Sequence, residues 1–123
     1  MKKVLLLYSL LQCIIFASLA QGSEVNLKSL TVKGRNEHLI NTAKKTVIHY
    51  NKEFYRQHGK PKIDSYEITE GDHRGRRVYT VTFYYDKQIE QMPLNFASKV
   101  YIWENTGKPF SIHYGNTMGQ NIE

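Results

Sequence analysis

The chain has 123 residues, a formal net charge of +6 and one cysteine, Cys13. This length accommodates one domain of ordinary size, and a lone cysteine excludes an intramolecular disulfide and a thiolate zinc site. The basic excess suits an acidic partner or an anionic envelope surface, but charge of this size is also common on domains that only need to be soluble.

The first twenty residues have the pattern of a cleaved leader. Lys2 and Lys3 precede an apolar run from Val4 to Ala20, and Ser18 and Ala20 are the small residues that a signal peptidase requires. We therefore predict a signal peptide over residues 1–20 and an exported protein, periplasmic or secreted. A membrane-spanning helix fits less well, because 17 apolar residues is the short limit for a span. Lipidation at Cys13 also fits less well, because the preceding residue is large.

Cleavage after Ala20 predicts a mature domain over residues 21–123. This domain carries 15 basic and 11 acidic side chains, a formal charge of +4, and no cysteine. Export argues against a nucleic-acid partner, and no membrane span is expected to remain after cleavage. Its stability must come from packing alone, which is feasible at about 100 residues.

One long helix is predicted over Asn36–His58. Asn36 is a suitable N-cap, and Gly59 and Pro61 end the segment. Spacings of three and four place five apolar residues on one face of this helix: Ile40, Ala43, Val47, Tyr50 and Phe54. Leu39 and Ile48 widen that face. A helix with one apolar face must cover another layer of the fold.

The remaining segments predict antiparallel strands. Alternation is clearest over Arg77–Asp86, and a hairpin is expected around Asn105–Lys108. A loop or bent strand edge is expected over Lys87–Ala97, and a loose tail from about residue 115. The other predicted strands are Val25–Val32, Lys62–Glu70, Ser98–Glu104 and Pro109–Tyr114. The predicted fold is α+β, with one helix packed on a four- to five-stranded antiparallel sheet.

Two turns supply the candidate binding residues. If Val100 and Ile102 face the core, Tyr101 and Trp103 face away, and the reverse holds otherwise. Trp, Tyr and Arg are frequent in interface hot spots. The hairpin candidates are Tyr101, Trp103, Asn105, Thr106, Lys108 and Phe110, and those of the cationic turn are His73, Arg74, Arg76 and Arg77. The residues of the cationic turn also fit a solvated turn whose arginines discourage edge-to-edge aggregation.

The sequence offers no catalytic constellation. The five histidines lack metal-site spacing, and no serine has a nucleophile-elbow setting. We therefore expect no catalytic residue, metal or cofactor, and a protein that acts by binding another protein. A small hydrolase or ligand carrier stays open as an alternative, and it would need a pocket between helix and sheet.

The segments Val100–Ile102, Glu104–Phe110 and Ile112 resemble the closing hairpin of PepSY domains, with Glu104 and Asn105 where an Asp commonly opens the turn. The element order also resembles cystatins, although the Gln-x-Val-x-Gly and Pro-Trp motifs are absent. These resemblances imply an inhibitor or regulator of an extracytoplasmic peptidase. The Gly107–Lys108 turn before Ile112–Tyr114 is similar to periplasmic immunity proteins of the nuclear-transport-factor-like group, which implies neutralisation of an antibacterial toxin.

Overall fold

A computed structural model describes residues 24–85, 96–115 and 118–123. The predicted signal peptide and most of the predicted loop over Lys87–Ala97 lie outside these ranges. The regular elements are a 3-10 turn at Leu27–Ser29, helix α1 at Val32–Asn51, a 3-10 turn at Lys52–Phe54, and five strands. The strands are β1 (Lys62–Glu67), β2 (Arg77–Tyr84), β3 (Phe96–Trp103), β4 (Pro109–Tyr114) and β5 (Gly119–Asn121).

Helix α1 begins four residues before the predicted start. The Thr31 hydroxyl accepts a hydrogen bond from the Gly34 amide at 3.1 Å and is the N-cap in place of Asn36. The prediction of a strand over Val25–Val32 is therefore wrong, because side-chain caps at Asn26 and Thr31 turn this segment into a 3-10 turn and the first helical turn. The α-helix ends at Asn51, and a 3-10 turn continues it to Phe54.

The buried face of α1 consists of Leu39, Ala43, Thr46 and Val47. Phe54 extends this face, since its ring centroid lies 4.6 Å from that of Tyr114. Ile48 and Tyr50, both assigned to the apolar face from sequence, are 38% and 44% exposed. The face is therefore narrower than predicted and centred on Leu39, Ala43 and Val47.

The sheet is an antiparallel meander whose spatial order, β1-β2-β3-β4-β5, is the chain order. The predicted α+β architecture of one helix on an antiparallel sheet is confirmed. The fifth strand comes from the tail that the sequence predicts to be loose. It pairs with β4 from Ser111 to His113, and the Ile122 amide continues the pairing by donating to the Phe110 carbonyl.

Side chains fill the interface between helix and sheet. Strands β2, β3 and β4 alternate, so that one residue in two points toward α1. The residues that do so include Tyr79, Val81, Phe83, Val100, Ile102 and Ile112, all of them buried. Tyr101 and Trp103 consequently lie on the sheet face opposite the helix, one of the two arrangements that the sequence leaves open.

The segment before α1 runs along the β3–β4 turn. The Val25 amide donates to the Thr106 carbonyl at 2.8 Å, and the Leu27 amide donates to the Glu104 carbonyl at 2.9 Å. Gly107 has a φ of 68°, and a Cβ there would lie 2.7 Å from the Val25 carbonyl oxygen. A side chain at this position would push the segment away from the turn.

No helix within the described ranges has the combination of length and apolar character needed to cross a membrane.

Candidate functional site

The β1–β2 turn and the β3–β4 turn lie at the same end of the sheet. Antiparallel pairing of β2 with β3 sets Val78 opposite Trp103, and the Glu104 amide donates to the Arg77 carbonyl at 3.0 Å. The cationic turn therefore lies beside the aromatic hairpin. Two groups of candidates that are about thirty residues apart in the chain meet here.

Arg76, Trp103 and Phe110 form a stack on the sheet face opposite the helix. The Arg76 guanidinium carbon lies 3.6 Å from the centroid of the Trp103 ring system. Phe110 is stacked on Trp103 with centroids 3.9 Å apart and planes 16° apart. Phe110 reaches this position because the β3–β4 register shifts between Tyr101 and Ile102. Trp103 is only 4% exposed, so it is the buried centre of the stack.

Arg76 is held in place by its neighbours. Its Nη2 donates to Asn105 Oδ1 at 3.1 Å, and its Nη1 lies 3.0 Å from His73 Nδ1. The His73 ring is also 5.1 Å from Trp103. A guanidinium fixed over an aromatic ring loses little side-chain entropy when a partner binds it. Its Nε is buried and has no hydrogen-bond partner among the residues that the structure describes.

Tyr101 extends the site toward the middle of the sheet. Its hydroxyl lies 3.2 Å from His113 Nδ1, and its ring is 6.1 Å from Phe110. Burial raises the pKa of Tyr101, and the neighbouring Tyr66 raises it further. The phenol is therefore neutral at physiological pH and can donate or accept a hydrogen bond. We name these six residues the Arg76–Trp103 surface: His73, Arg76, Tyr101, Trp103, Asn105 and Phe110.

A carboxylate from the tail already contacts this surface. Trp103 Nε1 donates to Glu123 Oε1 at 3.2 Å. Glu123 is brought to this position by the pairing of β5 with β4 and by the hydrogen bond from the Ile122 amide to the Phe110 carbonyl. The indole N–H of the stack thus has an acidic acceptor within the chain itself.

The other four candidates do not belong to the surface. Thr106 and Lys108 contact the segment before α1, through the Val25 amide and a 3.6 Å ion pair with Glu24. Arg77 is two positions before Tyr79 in β2 and so lies on the side of the sheet that faces the helix. Its Nε lies 4.0 Å from Glu104 Oε2. Arg74 is exposed at the turn, close in sequence to Arg76.

Three residues near the surface are absent from the sequence-based candidates. His113 and Tyr66 flank Tyr101, and Glu123 accepts the indole hydrogen bond. Alternation of β4 would have identified His113, since it has the same parity as Ser111, the partner of Tyr101. Glu123 gives no local signal, because its contact depends on a tail strand of three residues.

The surface has the chemistry of recognition: a flat aromatic stack, a fixed guanidinium and polar groups at its rim. Within the described residues, no group of three or more His, Cys, Asp or Glu side chains could hold a metal ion. Comparison with family models, with curated proteins and with solved structures found no match for this chain.

Proposed function

We propose that the protein binds another protein through the Arg76–Trp103 surface, and that the partner is an extracytoplasmic peptidase which it inhibits or regulates. The observation that supports the binding role most directly is the Arg76–Trp103–Phe110 stack. Arginine and aromatic side chains at a packed, rigid centre are typical of interface hot spots. The exposed rim of His73 and Asn105 surrounds this centre.

Three chain segments at one end of the sheet support a peptidase as the partner. They are the β1–β2 turn, the β3–β4 turn and the segment Val25–Leu27 that runs along the second turn. We propose that these three segments together enter the cleft of the peptidase. The filled interface between helix and sheet favours this proposal over a small-ligand carrier, because that role needs an internal pocket.

The test is a capture experiment with the mature protein, beginning at Gln21, as bait for secreted and envelope fractions. We expect one peptidase to bind at equimolar ratio, with its activity lowered. Arg76→Glu reverses the charge of the side chain that covers Trp103 and should abolish capture. Lys62→Glu makes the same change on β1, outside the surface, and should leave capture intact.

Two results would contradict the proposal. Equal capture by the Arg76→Glu and wild-type proteins would place the interface elsewhere. Capture of a toxin in place of a peptidase would retain the binding role and assign the protein to neutralisation of that toxin. Circular dichroism of both variants must show the wild-type melting transition for either comparison to count.

A further inference from the structure

A strong positive charge is carried by helix α1, the 3-10 turn after it and the segment that leads to β1. Residues 32–60 contain seven Lys or Arg and two Asp or Glu side chains, a net charge of +5. The rest of the predicted mature chain contains eight basic and nine acidic side chains, a net charge of −1. The basic character of the domain therefore lies in residues 32–60, and the rest of the predicted mature chain, which includes the sheet, is nearly neutral.

Three of these cations are exposed near the C-terminal end of α1. Lys44 and Lys45 lie on the helix away from its buried residues, and Lys52 begins the 3-10 turn that follows it. Each of the ion pairs found among the described residues involves other lysines or arginines. Lys44 only approaches the ring of Tyr55, at 5.8 Å. The three ammonium groups are therefore available to an anionic surface.

An apolar side chain lies among these cations. Ile48 is 38% exposed and is four residues from both Lys44 and Lys52. Tyr50, near the same end of the helix, is 44% exposed and packs edge-on against His49. Lysines around an exposed apolar residue suit a lipid interface, where the ammonium groups reach the headgroups and the apolar group enters the acyl boundary. An exposed apolar side chain such as Ile48 contributes nothing to a site that binds a polyanion by charge alone.

We propose that the outer face of α1, together with the start of the 3-10 turn that follows it, docks the protein on an anionic lipid surface through Lys44, Lys45, Ile48 and Lys52. The other face of the helix stays packed on the sheet, so only one side chain enters the bilayer and binding is weak, reversible and sensitive to salt. In this orientation the helical layer faces the lipid, and the Arg76–Trp103 surface, on the opposite face of the sheet, points away from it. This proposal does not depend on the identity of the protein partner.

The test is co-sedimentation of the mature protein with phosphatidylcholine vesicles, with and without phosphatidylglycerol. We expect binding only to the phosphatidylglycerol vesicles and release at high salt. Each lysine near such a surface contributes roughly a fivefold gain in partitioning, so Lys44→Glu/Lys45→Glu/Lys52→Glu should lower it by about 100-fold or more. The matched control, Lys62→Glu/Arg74→Glu/Lys99→Glu, changes the net charge equally and should lower it by less than about tenfold.

The variant Ile48→Ser distinguishes binding to a lipid surface from binding to other polyanions. We expect a severalfold loss of vesicle binding and no change in binding to heparin, which offers charge without an apolar phase. Equal losses in the two triple variants would overturn the proposal, as would vesicle binding that is indifferent to Ile48→Ser. Melting curves of all variants confirm that differences in binding do not reflect unfolding.

Discussion

The single tryptophan lies on the sheet face opposite the helix, yet it is as buried as a core residue. Arg76 covers one part of its ring system, Phe110 stacks against it and the His73 ring lies 5.1 Å away, and its exposure is only 4%. Alternation along β3 predicts the face on which Trp103 lies. It does not predict burial, because the covering side chains come from a different turn and from the β3–β4 bulge.

Trp103→Ala should therefore weaken the fold as well as the binding surface. We expect a loss of roughly 3 kcal/mol in the free energy of unfolding, the lower end of the range for a buried aromatic residue. Trp103→Phe keeps an aromatic stack but loses the hydrogen bond from the indole N–H to Glu123, so it should lower the free energy of unfolding by about 1 kcal/mol. Urea denaturation followed by circular dichroism measures both. Unchanged stability in Trp103→Ala would show that the stack contributes nothing to folding.

At the scale of elements, sequence and structure agree where a pattern is local and regular. The periodicity of α1 and the alternation of Arg77–Tyr84 both predict the observed elements. The helix start differs because capping by Thr31 competes with capping by Asn36, and both residues are good N-caps. Strand β5 is missed because its three residues are held by pairing with β4, a tertiary contact with no local pattern.

Adjacent residues of α1 test which face of the helix is buried. Val47 is fully buried against the sheet, and Ile48 is 38% exposed. Val47→Asp places an unpaired carboxylate in the core and should cost roughly 3–5 kcal/mol, a large part of the stability of a domain of this size. Ile48→Asp should cost less than about 1 kcal/mol. Trp103 fluorescence in urea follows both variants, and equal losses would contradict the assigned face.

At the scale of the whole molecule, the candidate site depends on register more than on composition. The sequence identifies the cationic turn and the aromatic hairpin as separate features. Only the pairing of β2 with β3 brings Arg76 over Trp103. The same pairing leaves Arg77 on the helix-facing side beside Glu104, although it is adjacent to Arg76 in the chain. Neither outcome can be read from residue type, because a shift of one residue would exchange the faces.

Tyrosine ionisation should destabilise the whole domain at alkaline pH. Burial raises the pKa values of Tyr66, Tyr84, Tyr101 and Tyr114; at Tyr84, Lys62 opposes this effect and Asp64 adds to it. A pKa raised in the folded state means that the native protein binds protons more tightly than the unfolded chain. This contribution to stability is complete below the unfolded pKa of about 10 and is lost as the pH rises through the folded values.

Urea denaturation at a pH of about 9 and of about 11 measures this loss, and absorbance near 295 nm follows phenolate formation. We expect a lower free energy of unfolding at the higher pH. We also expect some of the tyrosines to ionise at a higher pH in the folded protein than in the unfolded chain. Tyr66→Phe removes one raised group and the neighbour that raises the pKa of Tyr101, so it should reduce the dependence on pH. Titration of all tyrosines as in the unfolded chain would contradict the prediction.

Because strand order in the sheet repeats strand order in the chain, no strand has to be inserted between two others during folding. Each strand can pair with the one before it, in the sequence in which the chain is made. Such sequential pairing keeps most contacts short-range and favours rapid folding for a β-rich domain. The hydrogen bonds from Val25 and Leu27 to the β3–β4 turn are an exception, since they join residues about eighty positions apart. They can close only after that hairpin has formed, which makes them a late step in the folding of this molecule.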